Sequence, residues 1–222
     1  MKNRLFRSFI NPGILPTFME KKTKILAIGD IHGDTGLAKK LAKKAVKENV
    51  DLVIIAGDIT WLDQSAENII GPFVKAKKQV LLIPGNHEPN STINFLAEMY
   101  PNTKNIHGYF HKIGNLGIFG AGYDSFMGPF FVEDKKIFEN LKKSHEKVKD
   151  AKRKLMVTHA LPAGSKAELF EYSGSMAVAK AIKEFKPDVV VSGHIHEAGG
   201  IEEKIGKTKV INVARKPKIF EI

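Results

Sequence analysis

The sequence predicts an α/β fold. Short apolar runs alternate with amphipathic segments from Lys24 onward, and five of those runs end on a polar side chain able to bind a metal. The runs are Lys24 to Ile28 before Gly29-Asp30, Leu52 to Ala56 before Gly57-Asp58, Val80 to Ile83 before Pro84-Gly85-Asn86, Leu155 to Thr158 before His159, and Val189 to Ser192 before Gly193-His194. Ligands of α/β sheets bind beyond the carboxyl ends of the strands. The pattern therefore predicts that five chain-distant polar residues meet at one edge of one sheet.

Helical spacing of apolar residues predicts helices at Thr35 to Glu48, Gln64 to Lys77, Ser91 to Met99, Glu133 to Lys152 and Ser173 to Phe185. Pro72 should bend or split the second, and Ser91 should cap the third. Tyr109 to Ile113 and Leu116 to Phe119 flank Gly114-Asn115 and read as a hairpin. Beyond His196, Gly199 to Ile205, Thr208 to Val213 and Lys218 to Ile222 read as antiparallel strands, which implies a second sheet.

Residues 1–22, with Pro12, Gly13 and Pro16 and no regular period, are expected to form a loose arm, and Met19 offers an alternative start. They lack the apolar stretch and cleavage site of a secretory signal. Residues 23–222 show no repeat, low-complexity tract or composition shift, so a single domain is expected.

Composition narrows the chemistry. At 222 residues and 43% hydrophobic, the chain can bury roughly 70–75% of its unfolded surface. Cysteine is absent, which excludes disulfides, thiol nucleophiles and iron–sulfur ligation and leaves His, carboxylate or amide to hold any metal. No apolar run approaches the ~20 residues of a membrane-spanning helix, and a cytoplasmic protein is expected. Thirty-five Lys and Arg against 24 Asp and Glu give +11, but the excess sits in Lys39 to Lys47 and Lys142 to Lys154, which read as solvated helix faces. The only arginines are Arg4, Arg7, Arg153 and Arg215, and no aromatic residues alternate with the basic ones, so dedicated nucleic-acid binding is disfavoured.

Asp30-Ile31-His32 puts two potential ligands on one side of an extended segment, a pattern that is common by chance. Gly57-Asp58 is also common as a strand-to-loop turn, and His159 has an ordinary reading as a core histidine. Gly85-Asn86-His87-Glu88 is rarer, because packing does not select an amide followed by an imidazole after a buried strand. Gly193-His194-Ile195-His196 carries most weight: two imidazoles on one side, behind a residue that permits close backbone approach.

In this order the motifs resemble those of the calcineurin-like metallophosphoesterase superfamily: Asp-x-His, Gly-Asp, Gly-Asn-His-Glu, a later His, and Gly-His-x-His. The resemblance spans residues 25 to 213. It implies a four-layer α/β/β/α sandwich with mixed sheets and a dinuclear centre of two divalent ions: Mn, Fe, Ni, Co or Zn. Asp30, His32 and His196 would hold the first ion and Asn86, His159 and His194 the second, with Asp58 bridging both. A bridging hydroxide would attack phosphorus, with His87 assisting the leaving oxygen.

Where protein Ser/Thr phosphatases continue into Asp-Arg-Gly, Asp58 is followed by Ile59-Thr60-Trp61-Leu62-Asp63, and no Arg lies near any motif. That favours singly charged diesters over phosphoprotein monoesters and leaves Asp63 or Asp34 as acidic partner for His87. Thr158 to Pro162, Gly193 to Glu197 and Asn212 to Ala214 are similar to small uncapped phosphodiesterases, which often hydrolyse nucleotide-type or model diesters. Trp61 would stack on substrate or pack at the rim. The aromatic loop from Tyr123 to Phe131 would shape access, with Glu168 to Ser173 as a second loop over the site. His107, His111 and His145 read as ordinary surface or hairpin residues. The expected activity is a metal-dependent phosphodiesterase acting on a small or nucleotide-type diester. A nuclease on DNA or RNA and a non-catalytic scaffold of the same fold are the competing readings.

Overall fold

The computed structural model describes residues 22–64, 66–168 and 173–222, and its strands form two sheets. One comprises β1 (Lys24–Ile28), β2 (Leu52–Ala56), β3 (Gln79–Ile83), β4 (Thr103–Asn105) and β11 (Lys218–Glu221), in the order β11-β1-β2-β3-β4. Strands β1 to β4 run parallel, and β11 closes the edge antiparallel to β1. The other comprises β5 (Phe110–Ile113), β6 (Leu116–Ala121), β7 (Arg153–Thr158), β8 (Val189–Ser192), β9 (Glu202–Ile205) and β10 (Thr208–Asn212), in the order β5-β6-β7-β8-β10-β9. Its four central strands are parallel and its two edge strands antiparallel.

Alternate side chains of a strand point to opposite faces, and here both faces are buried. Leu26 and Ile28 pack outward with Leu41 and Ala45 of α1 (Thr35–Lys47), beside α2 (Gly71–Lys75) and α3 (Asn90–Met99). Ile25, Ala27 and Ile54 turn inward and meet Leu155, Val157 and Ile211 between the sheets. Phe119, Met156 and Val190 face outward from the second sheet onto Leu141 of α4 (Asp134–His145) and Val178 and Ile182 of α5 (Met176–Phe185). The layers are therefore α/β/β/α. Truncating an inter-sheet residue such as Ile54 to Ala should cost about 2–5 kcal/mol. The Lys-rich helices are amphipathic as expected: α1 buries Ala38, Leu41, Ala42 and Ala45, and Asp34 caps it by accepting from Leu37 N at 2.8 Å. Among the described residues no helix is long and apolar enough to cross a membrane.

Four expectations are corrected. The five ligand-bearing strands do not share one sheet: β1, β2 and β3 lie in the first, β7 and β8 in the second, because an apolar run does not encode its partner. The second helix is only Gly71–Lys75, and Pro72 sits in its first turn, where a missing N–H costs nothing, rather than bending it. Ser91 lies inside α3, which follows Pro89 instead. Helix α4 stops at His145, and residues 146–150 continue as turns. The N-terminal arm through residue 21, residue 65 within the second expected helix, and residues 169–172 of the expected second loop lie outside the described residues.

Candidate metal centre

The ends of β1, β2 and β3 face those of β7 and β8 across the inter-sheet core, so one end of the sandwich collects Asp30, Asp58, Asn86, His159 and His194. Asp30, His32, Asp58 and His194 all adopt left-handed backbone conformations, at φ of 60°, 50°, 50° and 76°. Non-glycine residues there cost about 1–3 kcal/mol each and need outside support. Backbone bonds supply it: Asp30 N donates to Gly57 O at 3.0 Å and His32 N to Asp58 O at 2.9 Å. Asp30 in turn accepts from His194 N at 3.1 and 3.2 Å, tying the two sheets together. Gly85 must lack a side chain, because a Cβ there would lie 1.9 Å from Asp58 Oδ1.

All seven expected ligands are brought together. His32 Nε2 stands 3.1 Å from His196 Nε2, which is 3.3 Å from Asp30 Oδ1. His159 Nε2 stands 2.8 Å from Asn86 Oδ1. Asp58 Oδ2 lies between the two groups, 3.6 Å from His32 Nε2 and 3.5 Å from His159 Nε2. Donor atoms of Asp30, His32 and His196 lie within 4.8 Å of one another, as do those of Asp58, His159 and His194. Ligands about 2.1 Å from one ion sit about 3–3.5 Å apart, so these spacings fit cations of the transition-metal class. Ring orientation fits as well. His159 Nδ1 faces Ala56 O at 2.9 Å and His32 Nδ1 faces Thr60 O at 3.2 Å, so a proton on each Nδ1 leaves Nε2 free as a ligand.

The electrostatics follow from burial and crowding. Burial opposes charge on His159, yet the Asp58 carboxylate beside it raises the imidazole to about 10. Burial likewise pushes Asp58 up, but His159, then His87 and His32, hold it well below the usual carboxylate range. Glu88, fully buried, is pushed up to about 7 by burial and by the charge of Asp58.

His87 stands 3.9 Å from Asp58 Oδ2 by Nε2, close enough to group with His32 and Asp58. Neither expected carboxylate engages its ring, although Asp63 N donates to His87 O at 2.6 Å. Asp63 accepts from Thr92 Oγ1 at 2.6 Å and Asp34 is spent on its helix, while Leu62 N–H donates to His87 Nδ1 at 3.4 Å. The ring of Trp61 lies 4.6 Å from that of His87 and 5.0 Å from that of His32, and the residue is 51% exposed. Together with Met127, Ile195 and Glu197, Trp61 walls a cavity of about 310 Å³ floored by the ligands. Grooves of about 570 and 670 Å³ lie elsewhere and hold none of these groups, so donor chemistry rather than size marks the site.

Tyr123 does not line this cavity; its hydroxyl accepts from Asn90 N at 2.7 Å and its ring packs on His107. His107 and His111 are both half-buried, His111 in the hairpin as expected, but His145 is buried and not a surface residue. His107 accepts from Gly122 N at 2.9 Å, and His145 is buried against Phe185 and Phe119. One arginine does approach a motif: Arg215 Nη1 donates to Asp30 O and Ile31 O, each at 3.1 Å. It props the Asp30 loop and is not among the residues lining the cavity. Sequence reasoning also assigned nothing to Glu88, which accepts from Gly85 N, Thr60 N and Thr60 Oγ1, or to Asp124, whose carboxylate is 3.6 Å from His194 Nε2.

A layered α/β/β/α fold whose strand ends converge on a His, Asp and Asn cluster defines a phosphoesterase class, and residues 23–198 match the model of the family described as Calcineurin-like phosphoesterase. The chain belongs to that family. It is 32% identical over 125 residues to Shewanella-like protein phosphatase 1 of Plasmodium berghei, covering 48% of this chain and 32% of that protein. The chain thus spans about a third of the length of this curated relative. Its fold is similar to that of TT1561 of Thermus thermophilus, with a TM-score of 0.72 at 19% identity over 87% of this chain and 90% of the other. It is also similar to an archaeal phosphodiesterase, with a TM-score of 0.53 at 17% identity over 90% and 99%.

Proposed function

We propose that the protein is a metal-dependent phosphodiesterase acting on a small, nucleotide-type diester. The observation that carries the reading is Asp58 Oδ2, placed between two donor groups at 3.5 and 3.6 Å, with His87 Nε2 beside it at 3.9 Å. Asp30, His32 and His196 would hold one divalent ion and Asn86, His159 and His194 another, with Asp58 common to both. When bound, such ions supply Lewis acidity towards phosphoryl oxygens and a water acidic enough to ionise near neutral pH.

The chain's own residues do the rest. Leu62 N–H occupies His87 Nδ1, so a neutral His87 carries its proton on Nε2. From there it can donate a hydrogen bond to the departing ester oxygen and stabilise the negative charge developing on it, without giving up its proton, a role typically worth 10²–10³-fold. Among the described residues neither Lys nor Arg lines the cavity, and Glu197 adds a negative charge to its wall. This supports a monoanionic diester over a dianionic monoester and over a polynucleotide, whose backbone needs several cations. Trp61 and Met127 offer an apolar surface for a base or another apolar alcohol.

The likeness to a protein phosphatase favours one second reading, phosphomonoester hydrolysis. Turnover of matched p-nitrophenyl diester and monoester substrates by protein loaded with Mn²⁺, Ni²⁺ or Zn²⁺ separates the two. Higher kcat/KM on the diester supports the proposal, and preference for the monoester replaces it with the second reading.

A further inference from the structure

We infer that the segment from Gly122 to Val132 is a strap that positions one half of the metal centre, and that Asp124 within it is a positioning residue for His194. The inference rests on the metal-centre reading above. Asp124 is only 3% exposed, although its loop also carries Phe126 at 68% and Phe131 at 61%. A carboxylate is buried at such cost only where it is paired and hydrogen-bonded. Its Oδ2 accepts from Phe126 N at 2.9 Å and Met127 N at 3.2 Å, and the same oxygen stands 3.6 Å from His194 Nε2.

The strap's other contacts lead to the same half of the site. Tyr123 N donates to Pro84 O at 3.0 Å and Phe130 N to Asn86 O at 3.2 Å, while Ala160 N donates to Tyr123 O at 3.3 Å, next to His159. Val132 N closes the loop onto Asp124 O at 3.0 Å. Gly128, at φ +85°, lies so close that a Cβ there would be 2.3 Å from Asn86 Nδ2. One segment thus touches Asn86 directly, reaches the neighbour of His159, and aims a carboxylate at His194.

A carboxylate at one ring nitrogen of a ligating histidine fixes the tautomer and ring orientation, and removing such a partner typically lowers metal affinity 10–100-fold. With Nε2 turned to Asp124, His194 would present Nδ1 to the ion it shares with Asp58 and His159. The strap also carries Met127, which walls the substrate cavity, so substrate contact and ion retention are linked through one loop.

The test is titration of Zn²⁺ into the metal-free wild type and the Asp124→Asn and Gly128→Ala variants, by calorimetry with metal counting, alongside thermal unfolding of each metal-free protein. Asp124→Asn keeps an oxygen for the loop amides and removes the charge. The inference predicts two ions in the wild type. In each variant one ion should bind with unchanged affinity and the other 10–100-fold more weakly, with the metal-free unfolding temperature of Asp124→Asn close to wild type. Both ions unchanged, or both weakened equally, overturns the strap while leaving the centre intact. Fewer than two ions in the wild type overturns the centre, and the inference with it.

Discussion

Glu88 accepts both donors of Thr60, the backbone N–H and the hydroxyl, at 3.0 Å each, inside a fully buried pocket. Its other oxygen accepts from Gly85 N at 2.8 Å. The carbonyl of Thr60 in turn faces His32 Nδ1, so the side chain next to His87 sets the ring angle of a ligand on a different strand. Replacing Glu88 by Ala leaves two buried backbone donors, Thr60 N and Gly85 N, without an acceptor and the Thr60 hydroxyl with only His87 O at 3.4 Å, at about 1–3 kcal/mol per unsatisfied group before relaxation. Urea unfolding should show a loss of about 2–5 kcal/mol for Glu88→Ala and a smaller loss for Glu88→Gln. An unchanged midpoint for Glu88→Ala would contradict this account.

His87 is engaged by a backbone amide and holds no place among the seven ligands. His87→Ala should therefore lower kcat on a diester by about 10²–10³-fold with little change in ion stoichiometry. The drop should shrink as the leaving group becomes more acidic and its developing charge needs less stabilisation. Equal loss across a leaving-group series would contradict the assignment.

Trp61 packs its ring on His87 at 4.6 Å while half its surface stays open to the cavity mouth. Stacking of this kind is worth about 0.5–1.5 kcal/mol, which is roughly a 2–10-fold change in KM. Trp61→Ala should raise KM for aryl or nucleoside diesters by that amount and leave dimethyl phosphate binding unaffected, as read by steady-state kinetics and inhibition.

Much of the centre was legible because its residues are ones that packing does not choose: an amide and imidazole after a buried strand, and two imidazoles behind Gly193. Strands were legible because both their faces are buried, which makes them continuous apolar runs. Sheet membership was not, since Leu52 to Ala56 and Val189 to Ser192 look alike yet lie in different sheets. The contact of Asp124 with His194 joins a loop to a strand end far along the chain, and no local period announces it. His145 was misread for the same reason: a lone histidine's burial is decided by tertiary neighbours, here Phe185 and Phe119.

His107 also sets a pH dependence away from the centre. Burial, with Lys143 nearby, pulls its imidazole down to about 4. Below about pH 6.5 the unfolded chain binds a proton that folded His107 refuses, so this residue's contribution falls as pH drops from about 6.5 towards 4, while Glu88, held near 7, acts in the opposite direction over the same range. The contribution is of order 3 kcal/mol at most. His145, lowered by burial, acts in the same direction. His107→Asn, which keeps an acceptor for Gly122 N, should remove this contribution, so that in urea unfolding its stability relative to wild type rises as pH falls from about 7 to about 4. An unchanged slope would contradict the account.

The central claim is that Asp58 joins two donor sets into one hydrolytic centre. It is tested most directly by diester hydrolysis in metal-stripped wild-type and Asp58→Asn proteins as Mn²⁺ is restored. The account predicts no turnover without metal, recovery in the wild type as two ions per chain are taken up, and a loss of at least about 10²-fold in Asp58→Asn. Turnover that survives metal stripping, or that Asp58→Asn leaves intact, would contradict it.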